Sequence, residues 1–378
     1  MQKLIELEKD EAILVSSQVE SFLKPDFVYL PVLGDDQIKV YQNSKVDIGS
    51  QLFVRSSTLC SVSGIVRQIK KMDSWDDASY YLEVENDFEE RRKEMNFNHS
   101  PLTKEIIFQA LGIEHKDEIK NIVLNAIDDE VYALTENFYL FLYYEEFLAL
   151  LDEIRQLCLI DHIYVCLKAS SSENVSKLMS ELGMYPEIEL KIVPDLYLLG
   201  KPKFLLSYLG IEENNTCVIS AKEFYRVYHL LKRNRIPTDE LITISGDGVK
   251  NPKVVQVKIG ARLKDVVDEL IDVKDDVCYI ANGLMSGREI HLDSFVITSS
   301  LDSLLIMKNT LEKEEGKCIN CGLCSDICPV SLYPKRLSEA NYRKQCINCG
   351  LCSYICPVHI KFRRDNDGKN SLSSFQER

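Results

Sequence analysis

The sequence predicts a multidomain α/β protein that ends in a short cysteine-rich segment, and three observations support this prediction. The chain has 378 residues, more than one ordinary hydrophobic core supports. Strand-like and helix-like patterns alternate through its middle, as they do where helices join parallel strands. Eight of its 13 cysteines lie between Cys318 and Cys356, which sets the end of the chain apart from the rest.

The composition excludes several classes of function. The chain carries 45 Lys and Arg against 59 Asp and Glu, a net charge of −14, whereas a general nucleic-acid binder needs a basic face to displace counterions. No stretch approaches the ~20 apolar residues of a membrane-spanning helix. The start of the sequence also lacks the apolar core of a signal peptide. We therefore expect no nucleic-acid partner, no transmembrane segment and a cytoplasmic location.

Residues 1–100 are predicted to form a β-rich module with a linker. Its β-branched runs, bounded by turn residues, predict strands within Val28–Val32, Ser44–Val54 and Cys60–Ile69. The polar, acidic stretch 73–100 is interpreted as a linker or cap.

Residues 101–235 show a βαβαβ pattern. Buried strands are predicted at Lys120–Ile127, Ile163–Leu167 and Ile188–Ile192, and helices at Tyr144–Cys158 and after Ser170. This order predicts a parallel sheet covered by helices. The carboxylates Asp128, Asp129 and Glu130 are interpreted as part of a surface loop rather than as a cation site.

Residues 236–300 are predicted to form a small β-grasp-like module. Its predicted strands are Leu241–Ser245, Val254–Ile259 and Val277–Ile280, with a helix at Leu263–Leu270. Residues 301–317 predict a helix that leads into the last module, 301–378.

The cysteines follow one spacing twice. The first group reads C-I-N-C-G-L-C-S-D-I-C-P and the second C-I-N-C-G-L-C-S-Y-I-C-P, and both fit the C-x₂-C-x₂-C-x₃-C-P spacing of bacterial two-cluster ferredoxins. The fourth cysteine of each group ligates the other cluster in such proteins. The predicted ligands are therefore Cys318, Cys321, Cys324 and Cys356 for cluster one, and Cys346, Cys349, Cys352 and Cys328 for cluster two.

Two other interpretations of the cysteines fit less well. A structural zinc site is typically built from paired C-x₂-C units, and a disulfide framework requires an oxidising compartment. The sequence therefore predicts two [4Fe–4S] clusters.

Several motifs, taken in order, resemble the C subunit of the Rnf electron-transport complex, a relative of the flavoprotein subunit of respiratory complex I. Near the start these are VYLPVLGDD, VDIGSQLFV and SVSGIVRQI; later come ITISGDGVKNP, GLMSG and the cysteine pair. Asn125, Glu130, Tyr132 and Glu136 match in part the family's Asn-x-x-x-x-Glu-Pro-Tyr run, with Val131 in place of the proline. The resemblance implies a lipoyl-like β sandwich, a Rossmann-like domain, a β-grasp soluble-ligand-binding domain and a helical, bacterial-ferredoxin-like di-cluster domain.

One family feature is missing. Active family flavoproteins carry a glycine-rich loop for flavin and nicotinamide phosphates, because only glycine lets backbone N–H groups approach phosphate closely. Here Gly112 is the only glycine between Gly64 and Gly183, and a second family motif is reduced to YLLGKP at 197–202. We therefore expect the FMN and NADH sites to be lost.

The leading hypothesis is an electron carrier, rather than a complete NADH dehydrogenase, that relays single electrons through two clusters between protein redox partners. These partners include a membrane-bound electron-transport complex at the inner face of the cell membrane. One alternative is an NADH-oxidising subunit with bound flavin. Others are an electron donor to a cobalamin- or selenoenzyme-type reductase and an adaptor whose clusters are structural.

Overall fold

The computed structural model describes residues 5–6, 16–34, 36–76, 78–93, 101–113, 119–309 and 315–362. Its strands are β1 (Ile5–Glu6), β2 (Ser16–Phe22), β3 (Phe27–Val32), β4 (Lys45–Val46), β5 (Gly64–Lys71), β6 (Asp73–Ser74), β7 (Tyr80–Asn86), β8 (Asn121–Asn125), β9 (His162–Lys168), β10 (Ile188–Val193), β11 (Leu196–Tyr197), β12 (Thr216–Ser220), β13 (Asp239–Ser245), β14 (Lys253–Lys258), β15 (Val277–Ala281), β16 (Arg288–Glu289), β17 (Phe295–Val296) and β18 (Ser303–Lys308). Its helices are α1 (Lys104–Ala110), α2 (Thr135–Cys158), α3 (Ser172–Glu181), α4 (Pro202–Leu209), α5 (Ala221–Arg233), α6 (Leu263–Leu270), α7 (Leu323–Ile327), α8 (Ala340–Gln345) and α9 (Leu351–Tyr354). Short 3₁₀ turns lie at Leu182–Met184, Leu292–Ser294 and Pro334–Arg336. The protein is thus a mixed α/β structure, as predicted.

The N-terminal part forms a four-stranded antiparallel sheet in the order β3-β7-β5-β4. The interpretation of 73–100 as a linker or cap is wrong for β7, which is a central strand of this sheet. Its acidic residues are accommodated because they are paired. Glu83 is buried but accepts hydrogen bonds from Tyr29 and Gln68 and forms an ion pair with Lys70. Residues 94–100 lie outside the described part.

The predicted parallel sheet is confirmed in the order β10-β9-β8-β12. Its central strand β8 is buried on both faces: Ile122 and Leu124 pack in the core that includes α2 and α5, whereas Val123 packs in the core that includes α4. Such double burial produces continuous apolar runs in sequence. The strand order reverses between β8 and β12, and in open α/β sheets the crevice at that point is the usual place for ligands.

The long helix α2 begins earlier than predicted. It includes the aromatic run from Phe138 to Tyr144, and Tyr143 has non-helical dihedrals (φ −126°, ψ 20°) that kink it. The prediction placed the start of this helix at Tyr144, next to the kink.

A six-stranded mixed sheet follows, in the order β16-β15-β18-β13-β14-β2. The predicted α6 is confirmed at Leu263–Leu270, with Val266 and Val267 in the core of this sheet. The helix predicted over 301–317 is wrong, because Ser303–Lys308 is strand β18, paired with both β13 and β15. Residues 310–314 lie outside the described part.

Candidate metal centre

Each cysteine motif forms a tight loop followed by a short helix. Gly322 and Gly350 precede α7 and α9 with left-handed backbones, φ 84° and 74°, a conformation that glycine adopts without steric cost. Asn320 and Asn348, two residues earlier, share a second left-handed position, φ 57° and 53°. The two motifs therefore adopt the same local conformation, and each brings three cysteines around one loop.

The four cysteines predicted for cluster two line one cavity. Cys328 comes from the first motif and Cys346, Cys349 and Cys352 from the second, around a space of about 470 Å³. Apolar side chains complete the wall, namely Pro329, Val330, Leu332, Ile347 and Phe362. The fold thus brings the fourth cysteine of one motif to the other motif, as the predicted cross-ligation requires.

The cysteines predicted for cluster one are less enclosed. Cys324 and Cys356 are buried in one apolar cluster, and Cys318 packs against it. Cys321 is exposed. The last cysteine of the second motif thus lies with Cys318 and Cys324 of the first, and Cys352 packs against the same cluster.

The chemistry of the enclosed cysteines suits iron. None of the 13 cysteines forms a disulfide. Burial, followed by repulsion from Cys349 and Cys346, raises the pKa of Cys352 to about 12, and burial also raises the pKa of Cys349. A cation bound beside Cys352 is therefore needed to deprotonate it at neutral pH. No group of three or more His, Cys, Asp or Glu in the described residues could hold a single metal ion. A [4Fe–4S] cluster is held by four cysteine thiolates in all, and the residues of the cavity supply four.

Backbone donors point at two of the sulfur atoms. Leu332 N lies 3.3 Å from Cys328 Sγ, and Asn348 N lies 3.4 Å from Cys346 Sγ. Hydrogen bonds to the ligating sulfurs are one of the means by which proteins set cluster potentials. Sequence analysis did not identify these donors, because they depend on loop conformation.

The second cysteine motif packs against the body of the protein, and the first faces outward. Tyr197 donates a hydrogen bond of 2.7 Å to the carbonyl of Cys349, and the loop at Met285 lies so close to Gly350 that a Cβ atom there would meet Met285 O at 1.9 Å. In the first motif, by contrast, Ile319 is 61% exposed. One predicted cluster is therefore interior and the other is near the surface.

A separate cleft of about 1060 Å³ lies at the carboxyl ends of β8 and β12. Its wall includes Asp128, Glu136 and Asp302. Burial raises the pKa of Asp128 to about 6, and burial together with repulsion from Asp128 raises the pKa of Glu136 to about 8. A phosphate-binding loop presents backbone N–H donors to the ligand, whereas this cleft presents carboxyl groups.

The family-like residues around this cleft have structural partners. Asn125 donates to the carbonyl of Gly200 at 2.6 Å, and Glu130 accepts hydrogen bonds from the backbone N–H groups of Met285 and Ser286, each at 3.0 Å. The interpretation of Asp128 as a surface-loop carboxylate is wrong. Its side chain is buried and accepts from the backbone N–H groups of Glu136 and Asn137 in the first turn of α2.

Comparison with known proteins agrees with the cysteine pattern. Residues 310–357 match the family model of the 4Fe-4S dicluster domain. Over 135 residues the chain is 29% identical to the C subunit of the ion-translocating oxidoreductase complex of Methanosarcina acetivorans, covering 34% of this chain and 30% of the relative. It is 30% identical over 131 residues to the C subunit of the proton-translocating ferredoxin:NAD(+) oxidoreductase complex of Clostridium ljungdahlii, covering 34% and 27%.

A longer match, over 253 residues at 22% identity, is to the C subunit of the ion-translocating oxidoreductase complex of Buchnera aphidicola, covering 63% of this chain and 52% of the relative. The matched regions thus span between about a quarter and a half of these relatives. Among solved structures, an NAD+-reducing [NiFe]-hydrogenase in the air-oxidized state matches with a TM-score of 0.43 and 14% identity, covering 61% of this chain and 47% of that chain. None of the helices in the described ranges is long and apolar enough to cross a membrane.

Proposed function

We propose, from the similarity to the C subunit of ion-translocating oxidoreductase complexes of the Rnf type, that this chain relays single electrons through iron–sulfur clusters. The observation that carries the proposal is the cavity in which Cys328 of the first motif joins Cys346, Cys349 and Cys352 of the second. Four thiols from two ferredoxin-like motifs line this one apolar cavity, which is the arrangement that ligation of a cluster requires.

The chain holds two [4Fe–4S] clusters in this proposal. Cluster one takes Cys318, Cys321, Cys324 and Cys356, and cluster two takes Cys346, Cys349, Cys352 and Cys328. When bound, the clusters supply reversible one-electron chemistry. The protein residues hold the thiolates, exclude water from cluster two through the apolar wall, and donate backbone hydrogen bonds to sulfur.

The packing indicates which of the two clusters faces a protein partner. Cluster two lies against the body of the protein, near Tyr197 and Met285, whereas cluster one lies beside the exposed Cys321. Cluster one therefore exchanges electrons with a protein partner at the surface, and cluster two is the interior member of the pair.

The proposal does not include FMN or NADH. The cleft at the carboxyl ends of β8 and β12 is lined by Asp128 and Asp302, and repulsion between these carboxylates and a phosphate would oppose binding. Glu136 also lines the cleft, but its raised pKa, about 8, keeps it largely protonated at neutral pH. The absence of a glycine-rich loop from the sequence supports the same conclusion.

The remaining modules serve as a docking scaffold. We assign 1–100 to a lipoyl-like sandwich and linker, except for β2, which pairs with β14 in the six-stranded sheet. We assign 101–235 to a Rossmann-like domain, supported by a strand order that in chain order is 3-2-1-4. A β-grasp domain follows from 236, and the ferredoxin-like domain extends to 378. Because β18 belongs to the six-stranded sheet, we place the boundary between these two domains after Lys308 rather than at 300. The protein acts at the inner face of the cell membrane as a peripheral member of an electron-transport complex.

The test is purification without oxygen, followed by iron, sulfide and flavin assays and a redox titration monitored by electron paramagnetic resonance (EPR). We expect about eight irons and eight sulfides per chain, no flavin released on denaturation, and reversible reduction of both clusters. Zinc in place of iron, or clusters that cannot be reduced and reoxidised, would overturn the proposal. Stoichiometric flavin would instead support the NADH-oxidising alternative.

A further inference from the structure

A third large pocket lies away from the cysteines, where the helices that cover the parallel sheet meet the start of β13. Its volume is about 390 Å³, within the range of small-molecule sites. Side chains of α2, α5 and the connection between α5 and β13 form its wall, together with Arg92 from the N-terminal part of the chain. It therefore lies where three parts of the fold meet.

The wall contains a buried hydrogen-bond donor without an acceptor. His229 is only 5% exposed, and its Nδ1 accepts a hydrogen bond of 3.1 Å from Nε of Arg235. In a neutral imidazole the nitrogen that accepts is unprotonated, so the proton lies on Nε2. Burial and the charges of Arg235 and Arg233 lower the pKa of His229 to about 4, so the ring is neutral at pH 7. Nε2 has no partner in the described part of the chain, whereas buried polar groups normally have one.

Positive charge accumulates at the same place. Arg92, Arg233 and Arg235 line the pocket, and in the ranges that the structure describes none of them forms an ion pair with a carboxylate. The facing carboxylates are Glu146 and Asp239, and Asp239 already accepts from Gln256. The arginines therefore outnumber the carboxylates in a chain whose net charge is −14.

Lys258 is buried next to the same pocket, beside Thr238. Burial lowers its pKa, attraction to Asp239 and Glu90 opposes that shift, and repulsion from Arg92 and Arg235 adds to it.

The kink in α2 brings aromatic side chains into the wall. Tyr143, the residue with non-helical dihedrals, has its ring centroid 4.8 Å from that of Tyr225 and 6.4 Å from that of His229. Arg233 lies over the ring of Tyr228, 5.8 Å from the centroid. The rings hold His229 and the guanidinium of Arg233 in place, and this limits the entropy lost when a ligand binds.

We propose that this pocket binds a phosphate-bearing small molecule, whose phosphate oxygens accept hydrogen bonds from Arg233, Arg92 and Arg235, the last held in place by the hydrogen bond from its Nε to Nδ1 of His229. Guanidinium groups suit this ligand because their planar fork matches two phosphate oxygens at once. The ligand would connect three parts of the fold and so bias their packing. This inference is independent of the clusters and of the proposed electron relay.

The test is isothermal titration calorimetry on the cluster-loaded protein with two probes, inorganic pyrophosphate and ATP, at low and high salt. We expect binding that weakens as salt rises, and at least tenfold weaker binding in Arg235→Gln and Arg233→Gln. Arg67→Gln is the matched control, because Arg67 lies on the four-stranded sheet and pairs with Glu85. Binding of pyrophosphate would support the proposal and show that the phosphate groups are sufficient for binding. Binding of ATP but not of pyrophosphate would support the proposal and show that the rest of the ligand contributes to binding.

A purely structural role for these arginines gives a different result. Charge at the end of α5 also stabilises the helix dipole, so a structural variant would lower the midpoint of thermal unfolding and leave binding unchanged. That result would overturn the proposal, as would the absence of heat with either probe up to millimolar concentration. If Arg235→Gln does not fold, Arg233→Gln, at an exposed position at the end of the helix, still decides the question.

Discussion

Cys328 belongs to the first cysteine motif by sequence but lines the cavity of the second. We predict that Cys328→Ser removes cluster two and leaves cluster one with its four ligands. EPR spectra with iron and sulfide assays on protein prepared without oxygen would show about half the iron lost. Cys217→Ser, in strand β12 and outside both motifs, is the control and should keep both clusters. Loss of cluster one instead would contradict cross-ligation.

Protonation of Glu136 affects the stability of the fold. Its folded pKa is raised to about 8 by burial and by repulsion from Asp128, above its unfolded value, so the folded state binds more protons between these two values. Stability from this group is therefore fully present at low pH and falls as pH rises from about 4.5 to about 8. Asp128, whose pKa is raised to about 6, acts in the same direction.

We predict that Glu136→Gln raises the free energy of unfolding at pH 8.5 by about 1–2 kcal/mol, and that this gain disappears near pH 4. The amide can still accept the hydrogen bond that Lys222 N donates to Oε2 at 2.9 Å, so the change removes charge and keeps the contact. Denaturant unfolding at several pH values is the measurement, and Glu187→Gln, at an exposed position, is the control. A gain that does not depend on pH would contradict the explanation.

At the scale of elements, the two cysteine loops are alike in conformation and differ in what surrounds them. A Cβ atom at Gly350 would meet Met285 O at 1.9 Å, whereas one at Gly322 would meet nothing within 4 Å. Both substitutions force an alanine into the left-handed region, which costs about 1 kcal/mol.

We predict that Gly322→Ala shows little more than this cost and that Gly350→Ala also displaces the second loop from the body of the protein. Cluster two should then be lost more readily on warming in Gly350→Ala, while Gly322→Ala behaves nearly as the parent. Thermal bleaching of the cluster absorbance, followed without oxygen, makes the comparison. Equal effects of the two substitutions would show that the Met285 contact does not position the loop.

The helices and strands also show how much of the fold can be predicted from the sequence. The cysteine motifs, the parallel sheet and α6 follow from local spacing and periodicity, and these are the features that sequence identifies. Strand β18 resembles a helix in sequence because its residues are buried on both faces, from Ser303 to Ile306, and a doubly buried strand has no alternation that distinguishes it from a helix. Strand β7 escapes prediction because Glu83 looks solvent-exposed until its partner Lys70 is known.

The candidate site, like the fold, can be predicted from the sequence only in part. The set of eight ligand candidates follows from spacing, and the convergence of Cys328 on the second motif agrees with it. The donors Leu332 N and Tyr197 Oη could not be predicted, because a backbone N–H near a sulfur and a hydroxyl from a distant strand arise only from the folded arrangement.

At the scale of the whole molecule, one polar network ties the modules together. Lys222 of α5 pairs with Asp302 at 2.6 Å, before β18, and Glu240 of β13 accepts from Arg226 at 2.6 Å and from Tyr139 at 2.8 Å. Because Lys222 and Glu240 are buried, removing either partner would leave an uncompensated charge. The network therefore joins the parallel sheet to the six-stranded sheet, and the second cysteine loop docks on the combined body.

That docking makes the two proposed cluster sites unequal in their exposure to solvent. The cysteines proposed for cluster two are covered by the body and by an apolar wall, whereas those proposed for cluster one include the exposed Cys321, with Ile319 61% exposed nearby. We predict that limited oxygen destroys cluster one several times faster than cluster two, because solvent access governs attack on the sulfur ligands. The two EPR signals, assigned with the Cys328→Ser protein, would be followed over time after a measured addition of air. In mild denaturant, which opens the docked loop, the two rates should become equal. If cluster two were lost first under native conditions, cluster one could not be the member that meets a partner at the surface.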